Sequence, residues 1–156
     1  MNISIICVGK LKEKYWQDAV MEYSKRLAPY CKLKIVELKE TKLPLNAGTA
    51  ETEAVRISEG KEILSRLGEN TFVIALEIKG ERMDSEKFAK KIERLGNDGK
   101  SDISFVIGGS FGLSGQVSAR ADYRLSFSDM TFPHQMMRVI LLEQIYRCFK
   151  INKNEP

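Results

Sequence analysis

Short segments rich in Ile, Val and Leu, at Ile3 to Val8, Leu33 to Leu38, Thr71 to Ile78 and Ile103 to Ile107, constrain this chain more than any other feature. Each is too short for a buried helix and reads as a strand, and the two that stop on glycine, at Gly9 and at Gly108-Gly109, read as buried strands. Between them, apolar residues recur at helical spacing. Tyr15, Trp16, Ala19, Val20, Tyr23 and Leu27 form one such stretch, ended by Pro29. Ala50 to Leu67 forms a second, with Ala54, Ile57, Leu64 and Leu67 expected on its inner side. Phe88, Ile92 and Leu95 mark a third, with Asp84 or Ser85 in position to cap it. A short helical stretch, a brief strand from Tyr123 to Phe127 and a long helix from His134 to Lys150 complete the pattern, the last with Met137, Ile140, Leu141, Ile145 and Cys148 on one side. Strands alternating with helices call for crossover connections. The expectation is therefore a mostly parallel α/β sheet, flanked by helices, in one domain of 156 residues.

No apolar run approaches the roughly 20 residues a membrane-spanning helix needs, and the start lacks the features of a secretion signal. A cytoplasmic protein with no membrane partner is expected. The 3 cysteines are scattered among apolar neighbours, and there is 1 histidine, His134, so neither a disulfide framework nor a metal site is expected. The net charge is +4. Lys10, Lys12, Lys14, Lys25, Arg26, Lys32 and Lys34 crowd the first quarter together with Tyr15, Trp16, Tyr23 and Tyr30. That mixture suits RNA, through phosphate neutralisation and base stacking, and suits a solvated helix face equally well.

In an open parallel sheet, ligands gather at the carboxyl ends of strands. The segments there are Leu76-Glu77-Ile78-Lys79-Gly80, Ile107-Gly108-Gly109-Ser110-Phe111-Gly112, and Leu125 to His134. The glycines allow backbone to approach a ligand, and their spacing is also that of a tight turn. They form neither a phosphate-binding Walker loop nor a dinucleotide fingerprint, and Ser110 and His134 lack the context of a catalytic triad. Pro133 suits the first turn of the last helix, and Thr131 is placed to cap it.

Val8-Gly9-Lys10-Leu11-Lys12, Phe105-Val106-Ile107-Gly108-Gly109-Ser110-Phe111-Gly112-Leu113, Leu125-Ser126-Phe127-Ser128-Asp129-Met130-Thr131-Phe132-Pro133-His134-Gln135-Met136-Met137-Arg138 and Leu142-Glu143-Gln144-Ile145-Tyr146-Arg147 closely resemble, in this order, the large-subunit ribosomal RNA pseudouridine N3-methyltransferases. These belong to the SPOUT superfamily of knotted methyltransferases. The resemblance implies a SPOUT domain over residues 1–156 with a trefoil knot at about 103–150, an exception to the usual absence of knots. It implies a homodimer, S-adenosylmethionine as cofactor, and the 23S ribosomal RNA of the assembled ribosome as partner. Carried over by position, the cofactor pocket uses Leu76, Gly108 and the stretch Phe127, Ser128, Asp129, Met130, Thr131 and Phe132.

Methylation at N3 requires removal of a proton, for which His134 and Glu143 are the candidates. Arg138, Arg147, Lys10 and Lys12 are the candidates for contact with RNA, Arg138 and Arg147 alternatively pairing with carboxylates of a partner subunit. Glu143 and Arg147 also have the spacing of an ion pair within one helix. Members of the resembled family end in a Pro-Tyr-His-basic tail where this sequence ends Asn154-Glu155-Pro156. A ribosome- or RNA-binding module of the same fold, impaired in turnover, is therefore the alternative expectation.

Overall fold

Parallel pairing requires every connection to climb over the sheet, and the chain does this at each step. The computed structural model describes residues 1–156 as β1 (Asn2–Val8), α1 (Lys14–Leu27), β2 (Lys32–Leu38), α2 (Thr49–Arg66), β3 (Phe72–Arg82), α3 (Ser85–Asn97), β4 (Asp102–Ile107), α4 (Gly115–Arg120), β5 (Tyr123–Ser126) and α5 (His134–Asn152). The strand order is β2-β1-β4-β3-β5, and every neighbouring pair is parallel. β1 and β4 lie at the centre, Ile3 opposite Ile103 and Ile5 opposite Phe105. Crossovers running one way along the sheet (α1 and α3) pack on one face, and those running the other way (α2 and α4) pack on the opposite face. A single crossover hand requires this arrangement.

Strand alternation divides the core in two. Ile3, Ile5, Ile74, Ile103 and Phe105 pack with Leu27 of α1, Phe88, Ile92 and Leu95 of α3, and Leu141, Leu142 and Ile145 of α5. Ile6, Val8, Val73 and Val106 pack on the other face with Ile63 of α2 and Val117 of α4. Each fully buried side chain of this size contributes about 1.5–3 kcal/mol. Cys7, Cys31 and Cys148 are buried free thiols. Burial pushes Cys7 and Cys31 up to about 11 and Cys148 up to about 12, so none offers a thiolate at neutral pH.

Asp84 caps α3 by accepting from the Lys87 N–H at 2.7 Å, as its position suggests. Three local expectations are corrected. On α2, Leu64 and Leu67 pack on the core as expected, but the buried stripe is Val55, Glu59, Gly60 and Ile63, while Ala54 and Ile57 face outward. A Cβ on Gly60 would lie 2.3 Å from Ser114 Oγ and 3.4 Å from Val117, so its bare backbone lets α2 pack closely against the start of α4. β3 runs past Ile78 to Arg82, with an irregularity between Leu76 and Glu81 where it meets β5. Pro133 stands at the N-cap of α5 with no side-chain cap, so Thr131 does not play that role.

At the amino end of the sheet the Thr71 hydroxyl lies 2.9 Å from Asp102 Oδ1 and 2.8 Å from Ser104 Oγ. Asp122 accepts from the Val73 N–H at 2.8 Å and pairs with Arg120 at 3.3 Å. Arg120 donates in turn to the Thr71 carbonyl.

Candidate active site

The carboxyl ends of β3, β4 and β5 open onto a cavity of about 230 Å³. β3 supplies Leu76, Glu77 and Ile78. The turn after β4 supplies Gly108, Gly109, Ser110 and Gly112, and the segment after β5 supplies Phe127, Ser128, Met130, Thr131 and Phe132. His134 and Met137 close the wall from the first turn of α5. All three segments singled out in the sequence thus converge on one place.

Two glycines are required there by geometry. A Cβ on Gly108 would sit 2.8 Å from the carbonyl carbon of Gly112, and Gly112 itself has φ +78°. Together they fold the chain back in a turn closed by the Gly112 N–H donating to Gly109 O at 3.1 Å. Arg56 of α2 steadies this turn by donating to Phe111 O at 2.9 Å. The next segment braces itself: Ser126 Oγ donates to Ser128 O, and the Met130 N–H donates to Ser128 Oγ at 3.0 Å. Asp129 does not line the cavity. Its carboxylate faces outward to Arg82 at 2.7 Å.

The polar groups around the cavity are unevenly satisfied. Glu77 Oε1 accepts from Ser118 Oγ, but Oε2 is buried with no partner. His134 is largely buried, its Nδ1 has no partner, and its Nε2 lies 3.9 Å from Glu40 Oε1. Burial holds its pKa below the ordinary histidine value of 6.5, opposed by the Glu40 carboxylate and assisted by the Arg138 guanidinium, so the ring is neutral at pH 7. Glu40 also accepts from Ser110 Oγ at 2.7 Å.

Arg138, expected to meet RNA phosphate or a partner's carboxylates, is instead 2% exposed. Its guanidinium donates to Val8 O at 3.0 Å, Gly9 O at 2.6 Å and Glu37 Oε2 at 2.8 Å. It fastens the start of α5 to the end of β1, because carbonyls leaving a parallel sheet need donors and a buried charge needs partners. Glu143 lies two turns beyond the cavity and pairs with Arg147 at 2.8 Å, the ion pair its spacing allows. A hydrogen bond to Glu143 raises the pKa of the Tyr23 hydroxyl. Lys10 and Lys12 are exposed just beyond β1.

Met137 in the cavity wall, and Glu40, which lies behind the wall against Ser110 and His134, are the residues that sequence reasoning passed over. Glu40 stands in a polar stretch with nothing to distinguish it from its neighbours. Met137 was assigned only to the apolar side of its helix.

Comparison with known proteins agrees with the architecture. Residues 1–156 match the family described as "Predicted SPOUT methyltransferase". The Ribosomal RNA large subunit methyltransferase H of Clostridium novyi (strain NT) is 59% identical over 156 residues, covering 100% of this chain and 98% of the relative. The Ribosomal RNA large subunit methyltransferase H 1 of Clostridium perfringens (strain SM101) is 58% identical with the same coverage. A probable methylase family protein from Haemophilus influenzae Rd KW20 has the same fold, with TM-score 0.58 at 16% identity over 98% of this chain and 68% of that one. The tRNA (m1G37) methyltransferase from Aquifex aeolicus also shares it, with TM-score 0.55 at 12% identity over 94% of this chain and 70% of that one. Matched along its whole length, and more than half identical to full-length relatives, the chain belongs to the SPOUT methyltransferase family.

Proposed function

We propose that this methyltransferase takes S-adenosylmethionine as cofactor and modifies N3 of a pseudouridine in 23S ribosomal RNA, on the assembled ribosome in the cytoplasm. The observation that carries this reading is the cavity at the carboxyl ends of β3, β4 and β5, in a chain whose full-length relatives are named large-subunit ribosomal RNA methyltransferases. Those names also favour a catalytic protein over the binding-module alternative.

The residues present fit the cofactor. Leu76 and Phe127 offer apolar surface for a flat base, the glycine turn brings backbone N–H and C=O groups to the wall, and Glu77 Oε2 is a buried acceptor without a donor. When bound, S-adenosylmethionine supplies a methyl carbon attached to a positively charged sulfur. The chain's own work is then positioning and proton removal. A rigid wall built from three strand ends holds reactants in line, which can supply much of a rate enhancement. Its neutral ring in the cavity wall supports His134 as the acceptor of the N3 proton. Glu143, two turns away and engaged with Arg147, is not so placed.

Exposed Lys10 and Lys12 follow Gly9, whose bare backbone lies against His134, so their charge is available to phosphate near the cavity mouth. The proposal includes a homodimer, for which the exposed Tyr15 and Met21 of α1 offer apolar surface. It also includes a knot at about 103–150. The segment after β5 supports this, because it carries the chain from the sheet edge back to α5, packed against both α1 and α3.

The deciding experiment is methyl transfer from labelled S-adenosylmethionine to assembled ribosomes, separated subunits and naked ribosomal RNA. Label is expected in the large-subunit RNA of assembled ribosomes. Cofactor binding without label in any of the three would favour the binding-module reading.

A further inference from the structure

Glu40 lies outside every strand and helix, yet it is held from two directions. Its Oε1 accepts from Ser110 Oγ at 2.7 Å, which ties it to the turn after β4. The adjacent Thr41 N–H donates to Glu59 Oε2 at 3.2 Å, and Glu59, on α2, is 6% exposed. The same Oε1 lies 3.9 Å from His134 Nε2. Nothing separates the two side chains, because the residue beside them is Gly9. A Cβ there would lie 3.2 Å from His134 Cε1 and 3.3 Å from Glu40 Oε2.

A neutral imidazole has one N–H and one lone pair, and the nitrogen facing a carboxylate keeps the proton. With the proton on Nε2, the lone pair is on Nδ1, the buried nitrogen that has no partner. We propose that Glu40 is the positioning residue for proton removal: its carboxylate fixes the tautomer of His134 and leaves the lone pair on Nδ1, which the ring must turn out of the wall to offer to the methyl-accepting nucleotide. This rests on the methyl-transfer reading above. In the step itself the N3–H bond breaks and the proton goes to Nδ1; the electron pair left on N3 would bond the methyl carbon as the bond from that carbon to the cofactor sulfur breaks, its pair staying on sulfur as a neutral thioether. The positive charge then on the ring strengthens its attraction to the Glu40 carboxylate across the 3.9 Å that separates them.

The charged groups facing His134 are Glu40 from the segment after β2 and Arg138 from α5. Glu37 of β2 faces Arg138 and is paired with it, and Glu59 of α2 lies beside Glu40. Removing the Glu40 charge takes away the group that favours the protonated ring and leaves burial and Arg138, so the imidazole pKa must fall.

Because His134 is the 1 histidine of the chain, its ring nitrogens give an unambiguous ¹⁵N NMR titration. Wild type is expected to show the Nε2–H tautomer, and Glu40→Gln to lose that preference and titrate at lower pH. In ribosome methylation, Glu40→Gln should lower kcat by roughly tenfold or more. Its KM for S-adenosylmethionine should be unchanged, and the acid limb of its pH profile should move to lower pH. Glu40→Asp, which keeps the carboxylate, should recover most of the rate. His134→Asn should lose about 100-fold or more. An unchanged tautomer and pKa in Glu40→Gln, or a wild-type rate and pH profile, would overturn the proposal. Absence of methylation by wild type would instead overturn the substrate reading, while the titration still decides whether Glu40 controls His134.

Discussion

At the amino end of the sheet Thr71, Asp102, Ser104, Arg120 and Asp122 satisfy one another through hydrogen bonds. At the carboxyl end Glu59 Oε1, Glu77 Oε2, His134 Nδ1 and Arg138 Nε are all buried without a partner, and no other buried side-chain nitrogen or oxygen in the chain is in that condition. A buried unpaired polar atom costs about 1–3 kcal/mol, so the four together weigh against a stability of only about 5–15 kcal/mol. The same strands emerge at both ends, so the strands do not explain the difference. One end has only to hold the sheet together. At the other, Glu77 and His134 belong to the cavity wall, where a bound molecule can supply the missing partners.

The contrast can be broken at its most sensitive point with Gly108→Arg. The Cβ alone would meet Gly112 backbone at 2.8 Å, and the rest of the side chain would enter the cavity, so S-adenosylmethionine binding should weaken by more than about 100-fold in calorimetry. Wild-type affinity would show that the cofactor lies elsewhere. A smaller effect, on stability, is expected from Arg138→Leu. It leaves Val8 O and Gly9 O without donors, although half-exposed Glu37 can turn to water, and urea denaturation should show a loss of about 2–4 kcal/mol. Thr71→Val, at the satisfied end, should cost about 1 kcal/mol in the same measurement and leave cofactor affinity unaltered. If Thr71→Val weakened cofactor binding as well, the two ends would not be independent.

The inner strands β1 and β4 were legible in the sequence because burial leaves nearly uninterrupted apolar runs, and the α3 cap was legible because Asp84 directly precedes its helix. The cavity segments could be picked out because glycine and polar residues follow those runs. What could not be read arises from contacts between residues far apart. Ala54 and Ile57 of α2 were misplaced because the buried stripe runs from Val55 through Glu59 and Gly60, which carry no apolar signal, to Ile63. Arg138 looks like a surface cation until Val8, 130 positions earlier, is brought beside it. Glu40 acquires meaning only from Ser110 and His134, 70 and 94 residues further on.

The Arg138 clamp also bears on how the protein is made. The first strand leaves the ribosome early, but the donors for its last carbonyl and for Gly9 arrive only with the final helix, after most of the chain has been synthesised. Until then the edge of the growing sheet around residues 8 and 9 has no internal donors for those carbonyls. Pairings that join the two ends of a chain are slow to form. Folding should therefore be completed late, with the cavity as its last part, so that an incompletely synthesised chain cannot assemble a working site.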